Sequence, residues 1–86
     1  MLDRPLALGA QVSVRPERFG ALLYHFGTRR LSFLKDPKLL LVVERLGDSA
    51  SARSACLDAG VTEAELAAYD KALARLVDTS MVVERS

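Results

Sequence analysis

The first third of the chain carries a strand pattern of hydrophobic and polar positions. Residues 11 to 15 (Gln-Val-Ser-Val-Arg) alternate between polar and apolar side chains up to Pro16, and residues 19 to 26 form a second run rich in strand-forming residues. A third apolar run covers residues 31 to 34. Between the last two runs, Gly27-Thr28 is a Gly-X pair typical of a two-residue type II′ hairpin. The pattern therefore predicts three antiparallel strands.

A two-residue loop at Gly27-Thr28 would also determine which residues face each other across the hairpin. It would create three cross-strand pairs: Phe26 with Arg29, Tyr24 with Leu31, and Leu22 with Phe33. The apolar partners of these pairs fall on one face of the sheet, so we expect that face to be the half-buried one.

The period changes to a helical one at residue 36. Asp36 can cap a helix, Pro37 suits its first position, and Gly47 ends an apolar stripe made by Leu39, Leu40, Val42, Val43 and Leu46. This segment is the first predicted helix.

Two further helices are predicted after it. Ser51 can start a short helix that runs to Ala59, and Gly60 fits a left-handed cap at its end. Thr62 and Glu65 form a capping box for the third helix, whose apolar positions Leu66, Tyr69, Leu73, Leu76 and Val77 keep helical spacing. After Asp78, the run Met81-Val82-Val83 fits either a short strand or a last apolar segment that folds back on the domain.

The order of elements predicts an α+β fold in one domain over residues 1–86, with a three-stranded antiparallel sheet followed by three helices. The second and third helices around Gly60 resemble a helix-turn-helix, and the hairpin would be its wing. The predicted architecture is therefore winged helix-turn-helix-like.

Composition narrows the classes of function. The 12 basic and 11 acidic residues nearly cancel, which argues against a dedicated nucleic-acid binder, and no apolar run approaches the roughly 20 residues that span a bilayer. The single cysteine, Cys56, cannot form an internal disulfide, so we expect a cytoplasmic protein. With one histidine, His25, and no glycine-rich phosphate loop, the sequence predicts neither an enzyme, nor a metal site, nor a bound cofactor.

The charged residues leave two questions open. A basic cluster around the hairpin is either a solvated surface or a patch that attracts an acidic peptide; it consists of Arg29, Arg30, Lys35 and Lys38. The third helix bears more acidic than basic residues, namely Glu63, Glu65, Asp70 and Asp78 against Lys71 and Arg75. That balance makes it a poor DNA recognition helix, although a small winged-helix DNA-binding or regulatory domain remains the alternative interpretation.

Residues 24–35, Tyr-His-Phe-Gly-Thr-Arg-Arg-Leu-Ser-Phe-Leu-Lys, resemble the PqqD-like RiPP recognition elements that act as peptide chaperones in mycofactocin biosynthesis. The likeness extends from Val12 through the third helix. It implies a non-catalytic protein that binds the leader of a ribosomally made precursor peptide. It also implies a partner, a radical S-adenosylmethionine maturase with iron-sulfur clusters, to which the peptide is presented.

In such proteins the leader adds as an extra strand and lies between the third strand and the third helix. Carried onto this chain, the resemblance points to a set of peptide-binding positions: Arg30, Leu31, Ser32, Phe33, Leu34, Leu66, Tyr69, Ala72 and Leu73. An exposed edge strand presents unpaired N–H and C=O groups that an extended peptide can satisfy. The same edge could pair with a second copy of the chain, so a homodimer is a further expectation.

Overall fold

The computed structural model describes residues 1–85 and consists of five strands and three α-helices. The strands are β1 (Leu6–Leu8), β2 (Val12–Glu17), β3 (Gly20–His25), β4 (Arg30–Leu34) and β5 (Val82–Glu84). The helices are α1 (Pro37–Arg45), α2 (Ala52–Asp58) and α3 (Leu66–Asp78), with single 3₁₀ turns at Leu46–Asp48 and Glu63–Glu65. The predicted α+β class is confirmed, whereas the winged-helix description stays a prediction.

The antiparallel sheet β2-β3-β4 has the predicted register, with Tyr24 opposite Leu31 and Leu22 opposite Phe33. The loop that joins β3 to β4 differs from the prediction, because it contains the four residues 26–29. Arg29, and not Gly27, takes the left-handed conformation (φ 60°), and its N–H donates to the carbonyl of His25 at 2.7 Å. The two-residue type II′ turn is therefore wrong.

The His25 side chain explains why the wider loop is stable. Its Nδ1 atom accepts hydrogen bonds from the backbone N–H groups of Gly27 (3.0 Å) and Thr28 (3.1 Å). Two donors that a tight turn would leave to solvent are satisfied by one imidazole. The single histidine thus has a structural role.

The face of the sheet that the helices cover is opposite to the one that we expected. Ala21 and Leu23 have no exposed surface and Leu34 is 3% exposed, whereas Leu31 and Phe33 are 54% and 61% exposed. Helix α1 packs on β3 and β4 over the side that carries the small Ala21. A small side chain there lets the helix approach the sheet closely, so the larger apolar residues are left on the outer face.

A second, two-stranded sheet joins the ends of the chain. Strand β1 pairs antiparallel with β5, with Leu6 opposite Glu84 and Leu8 opposite Val82. Of the two alternatives for Met81-Val82-Val83, the strand is correct for Val82 and Val83, while Met81 is fully buried in the core. Strand β1 was not predicted.

The helix ends follow the predicted capping chemistry. The Asp36 carboxylate accepts the Lys38 N–H at 2.9 Å, and Ser51 Oγ accepts the Ser54 N–H at 3.2 Å. Gly60 adopts the left-handed conformation at the end of α2 (φ 93°). Thr62 and Glu65 form the expected capping box at the start of the last helical segment.

Candidate functional site

A groove runs between the edge strand β4 and helix α3. It contains two adjoining cavities, of about 270 and 480 Å³, which share Phe33, Leu39, Ala72 and Arg75. The smaller cavity is completed by Ser32, Leu34, Leu76 and Thr79, and the larger by Lys35, Asp36, Ala68 and Tyr69. Because Ala68 and Ala72 lie one turn apart on α3, the helix side of the groove is open enough for side chains from a bound chain.

The structure brings most of the expected peptide-binding residues to this groove, but not all of them. Its lining includes Ser32, Phe33, Leu34, Tyr69 and Ala72. Arg30 lines a separate cavity beside the end of α3, together with Asp78 and Thr79. Leu31 lies on the outer face of the sheet, and Leu66 and Leu73 are core residues that do not line the groove.

Several groove residues are not among the expected peptide-binding positions, namely Lys35, Asp36, Leu39, Ala68, Arg75, Leu76 and Thr79. Three of them, Ala68, Arg75 and Thr79, follow helical spacing and flank the apolar stripe of α3, to which Leu76 itself belongs. Of the stripe, the resemblance points to Leu66, Tyr69 and Leu73 as peptide-binding positions, and these three side chains are buried. The signal that could have found the groove was the row of small and polar residues beside the stripe.

The backbone of β4 offers hydrogen-bonding groups to this groove in a definite alternation. The Phe26 N–H donates to the Gln11 carbonyl at 2.8 Å, which extends the β2–β3 ladder. Even-numbered residues of β3 therefore bond to β2, and odd-numbered ones such as Leu23 bond to β4. Since Leu23 pairs with Ser32, the backbone groups of Ser32 point inward, and those of Leu31 and Phe33 point out of the sheet.

The opposite edge of the sheet, β2, is poorly suited to accept another strand. By the same alternation, Val12, Val14 and Pro16 direct their backbone groups outward. The Val12 N–H already donates to the Gly9 carbonyl at 3.1 Å, and Pro16 has no N–H. Among residues 1–85, Val14 thus provides the one free outward donor of β2, whereas β4 provides two.

One end of the groove is held by a network around Asp36. This carboxylate caps α1 and accepts a hydrogen bond from the Tyr69 hydroxyl of α3. Burial, and then the bond to Asp36, raise the pKa of the Tyr69 phenol well above its ordinary value. Nearby, Lys38 Nζ contacts Glu65 Oε1 at 3.4 Å, and the hydrogen bonds from Thr62, followed by Lys38, lower the pKa of Glu65.

Arg75 is the charged group at the centre of the groove, since it lines both cavities. Within residues 1–85 it makes no ion pair, while the Asp36 carboxylate beside it is already engaged by Tyr69 and the α1 cap. The groove therefore combines apolar walls with an unpaired guanidinium, an arrangement that suits a chain with an acidic side chain next to apolar ones.

Groups that could support chemistry are sparse in the part of the chain that the structure describes. Cys56 is fully buried, and burial raises the pKa of its thiol, which leaves it a core residue. Over residues 1–85, no three His, Cys, Asp or Glu side chains come together as a possible metal site. In the same range, no helix has the length and apolar character needed to cross a membrane.

Comparison with known proteins identifies the family. The model of the peptide chaperone MftB family matches residues 5–83. The chain belongs to this family. Similar proteins include the peptide chaperone MftB of Mycobacterium ulcerans (strain Agy99), 57% identical over 81 residues that cover 94% of this chain and 74% of that protein.

Two further relatives carry the same name. The protein of Mycobacterium tuberculosis (strain ATCC 25618 / H37Rv) is 53% identical over 96% of this chain and 76% of its own length. That of Mycolicibacterium smegmatis (strain ATCC 700084 / mc(2)155) is 56% identical over 85% of this chain and 72% of its own length. No solved structure matches the chain. The resemblance inferred from residues 24–35 is confirmed at the level of the family.

Proposed function

We propose that this protein is a non-catalytic peptide chaperone that binds the leader of a ribosomally made precursor peptide, of the mycofactocin type, in the groove between β4 and α3. The observation that carries the proposal is the free edge of β4, where Leu31 and Phe33 direct their backbone groups outward beside an apolar groove. Membership of the peptide chaperone MftB family supports the same conclusion.

The leader binds as an additional strand of the sheet. Strand β4 has five residues, so a leader segment of similar length pairs with it and exchanges hydrogen bonds with Leu31 and Phe33. Alternate side chains of an extended chain point to the same side. We therefore expect apolar leader residues two positions apart to occupy the two cavities in front of Ala72.

Arg75 gives the groove a preference for a peptide with an acidic side chain. Its guanidinium is free within residues 1–85 and lies where the two cavities meet. A leader carboxylate placed there forms a charge-assisted pair with this exposed guanidinium, a type of bond that contributes more than a neutral one. The favoured ligand is thus an extended peptide with an acidic residue adjacent to an apolar one.

The protein holds the peptide and a second protein performs the reaction. The groove is lined by neither histidine nor cysteine, and no metal-binding cluster occurs among the described residues. A radical S-adenosylmethionine maturase, with its iron-sulfur clusters, is the partner to which the loaded leader is presented. A cytoplasmic location fits such a partner, and the free edge of β4 can also pair with a second copy when no leader is present.

Calorimetric titration with the precursor peptide tests the proposal. Ordering a flexible leader is costly, so we expect a Kd of about 0.1 to 10 μM for the native leader and no measurable heat for a scrambled one. Arg75→Gln should weaken binding about 5- to 30-fold, the effect of losing about 1–2 kcal/mol of charge-assisted bonding. Lys71→Gln removes a cation from α3 outside the groove and should leave the Kd unchanged.

Equal binding of the native and scrambled peptides would contradict leader recognition. Equal affinity of the Arg75→Gln and Lys71→Gln variants would contradict the acidic contact while leaving strand addition open to its own test.

A further inference from the structure

The outer face of the three-stranded sheet carries a cluster of exposed apolar side chains, which we name the aromatic face. Its most exposed members are Phe33 (61%), Phe26 (60%), Leu31 (54%) and Phe19 (45%), and Leu22 and Tyr24 lie between them. All 3 phenylalanines of the chain belong to it. A small domain that leaves every phenylalanine in water, while Leu, Val and Ala fill its core, has an outer surface that is suited to a partner.

The cluster is continuous and ordered by its own contacts. The rings of Phe19 and Phe33 lie 5.8 Å apart, and those of Tyr24 and Phe26 meet edge to face at 5.1 Å. Cross-strand pairing places Leu31 beside Tyr24 and Leu22 beside Phe33, which joins the two aromatic pairs into one surface. Each of these contacts joins two residues of the outer face.

The charges around the aromatic face restrict what can cover it. Over residues 12–35, Glu17 is the single acidic residue, and it is already paired with Arg15 at 3.2 Å. Arg18, Arg29 and Lys35 stand at the ends of the strands, and Lys35 shares a cavity with Phe19 and Phe33. A second copy would bring this basic border against its own like charges, whereas a surface with acidic residues around an apolar centre complements it.

The size of the aromatic face also favours a transient partner. A fully buried phenylalanine covers about 150–250 Å², so the exposed parts of the three rings amount to about 300 Å². The exposed Leu31 and the partly exposed Leu22 and Tyr24 add to this area, but the apolar residues together still fall short of the roughly 800 Å² that each partner contributes to a stable complex of standard size. An interface made by these residues alone is of the small size typical of transient complexes.

The aromatic face adjoins the groove, because Phe33 belongs to both. A leader that extends the sheet beside β4 would place every second side chain on the groove side and the others on the side of the aromatic face. An enzyme that receives the loaded peptide therefore meets these side chains and the aromatic face as one surface.

From these observations we infer that the aromatic face is the docking surface for the maturase, which contacts it through an apolar patch bordered by acidic residues. The inference rests on the proposed function for the identity of the partner. It assigns the leader and the maturase to different sides of the same sheet, the first to the groove edge and the second to the outer face.

The experiment compares the double variant Phe19→Ser/Phe26→Ser with the unaltered protein. These two rings do not line the groove, so the substitutions separate the two surfaces. The control is Leu41→Ser/Leu57→Ser, which removes two exposed apolar side chains (44% and 46%) from helices α1 and α2. Three quantities are measured for each protein: the Kd for the leader peptide, the Kd for the purified maturase without peptide, and the molar mass by light scattering.

We expect the double variant to keep its melting temperature and its leader affinity and to lose maturase affinity at least about tenfold, as the loss of two exposed aromatic contacts implies. The control should change neither affinity, and binding of the maturase should weaken with added salt.

Other outcomes would contradict either the docking surface or the proposed function, and they can be told apart. Unchanged maturase binding by the double variant, or no binding by the unaltered protein, would show that the face does not hold the maturase. Loss of leader affinity with the fold intact would assign the face to the leader. A dimer that the double variant dissociates would assign it to a second copy. If the unaltered protein binds the maturase but no leader, the proposed function fails while the docking surface stands.

Discussion

Replacing one residue of β4 by proline distinguishes the outward from the inward backbone groups of this strand. Proline has no N–H, and it is tolerated in sheets where the missing donor would point out of an edge. By the alternation deduced above, Leu31 carries an outward N–H and Ser32 an inward one. Leu31→Pro and Ser32→Pro therefore remove neighbouring donors with different partners.

Leu31→Pro should weaken leader binding and leave the fold intact. A net hydrogen bond contributes about 0.5–1.5 kcal/mol, and a carbonyl left partly shielded without its donor adds to this, so we expect a loss of about 1–2 kcal/mol. That corresponds to a Kd raised about 5- to 30-fold. The control is Leu31→Ala, since the Leu31 side chain lies on the outer face and does not line the groove.

Ser32→Pro should instead destabilise the fold. Its N–H is directed at Leu23, which has no exposed surface, so the substitution leaves a buried carbonyl without a partner. The cost is about 1–3 kcal/mol, which in a domain of this size lowers the melting temperature by about 5 to 20 °C. Thermal unfolding followed by circular dichroism measures this effect, and fluorescence anisotropy of a labelled leader gives the Kd values.

The results can refute each step separately. Equal Kd values for Leu31→Pro and Leu31→Ala would show that the leader does not pair with this edge. A Ser32→Pro variant that melts like the unaltered protein, beside a Leu31→Pro variant that unfolds, would show that the alternation is reversed. The same alternation can be tested on the leader. N-methylation of every second leader residue should weaken binding, because it removes the N–H groups that face β4. N-methylation of the residues between them should leave binding unchanged.

Two further predictions concern stability. Burial and the bond to Asp36 raise the pKa of Tyr69, so the folded state keeps the phenol proton to a higher pH than the unfolded chain does. The free energy of unfolding therefore falls as the pH rises above about 10. Tyr69→Phe should remove part of that fall in urea titrations between pH 8 and 11. An added Cβ at Gly20 (φ 144°) would lie 1.9 Å from the Leu34 carbonyl, so Gly20→Ala should cost about 3 kcal/mol or more in urea unfolding. Gly47→Ala has open space and should change the stability by less than about 0.5 kcal/mol.

Capping residues were predictable from the sequence because their partners are only two or three positions away. Asp36, Ser51 and Thr62 each bond to backbone groups in the first turn that follows them, or within the same capping box. Gly60 likewise needed only the local rule that a helix often ends at a left-handed residue. The register of β3 against β4 was predictable for a related reason, since a short loop limits the pairings that the two strands can adopt.

The pairing of β1 with β5 could not be predicted in the same way. Both strands contain three residues, and they come from opposite ends of the chain. Nothing in the local pattern of Leu6–Leu8 distinguishes a strand from a loop, and its partner is determined by how α3 returns the chain to the sheet. Contacts between distant segments depend on the packing of all the elements between them.

The groove was only partly predictable, because the residues of α3 that line it lie next to those that are buried in the core. Tyr69 belongs to both, since it is 7% exposed and still lines a cavity. Leu73, one turn further along, contributes to the core alone. Whether a helical position faces the core or the groove depends on a rotation of the helix that the apolar pattern does not determine to within one residue.

The assignment of the sheet's two faces failed for a reason that itself indicates function. Both faces of β3 and β4 are apolar, so alternation alone does not say which one the helices cover. Large aromatic residues were expected inside because burying them is favourable, yet Phe26 and Phe33 remain exposed. Selection for stability alone would replace such residues by polar ones, since they add nothing to the core and promote aggregation. Where a chain departs from the pattern that its own fold would favour, binding is the physical requirement that can maintain the departure.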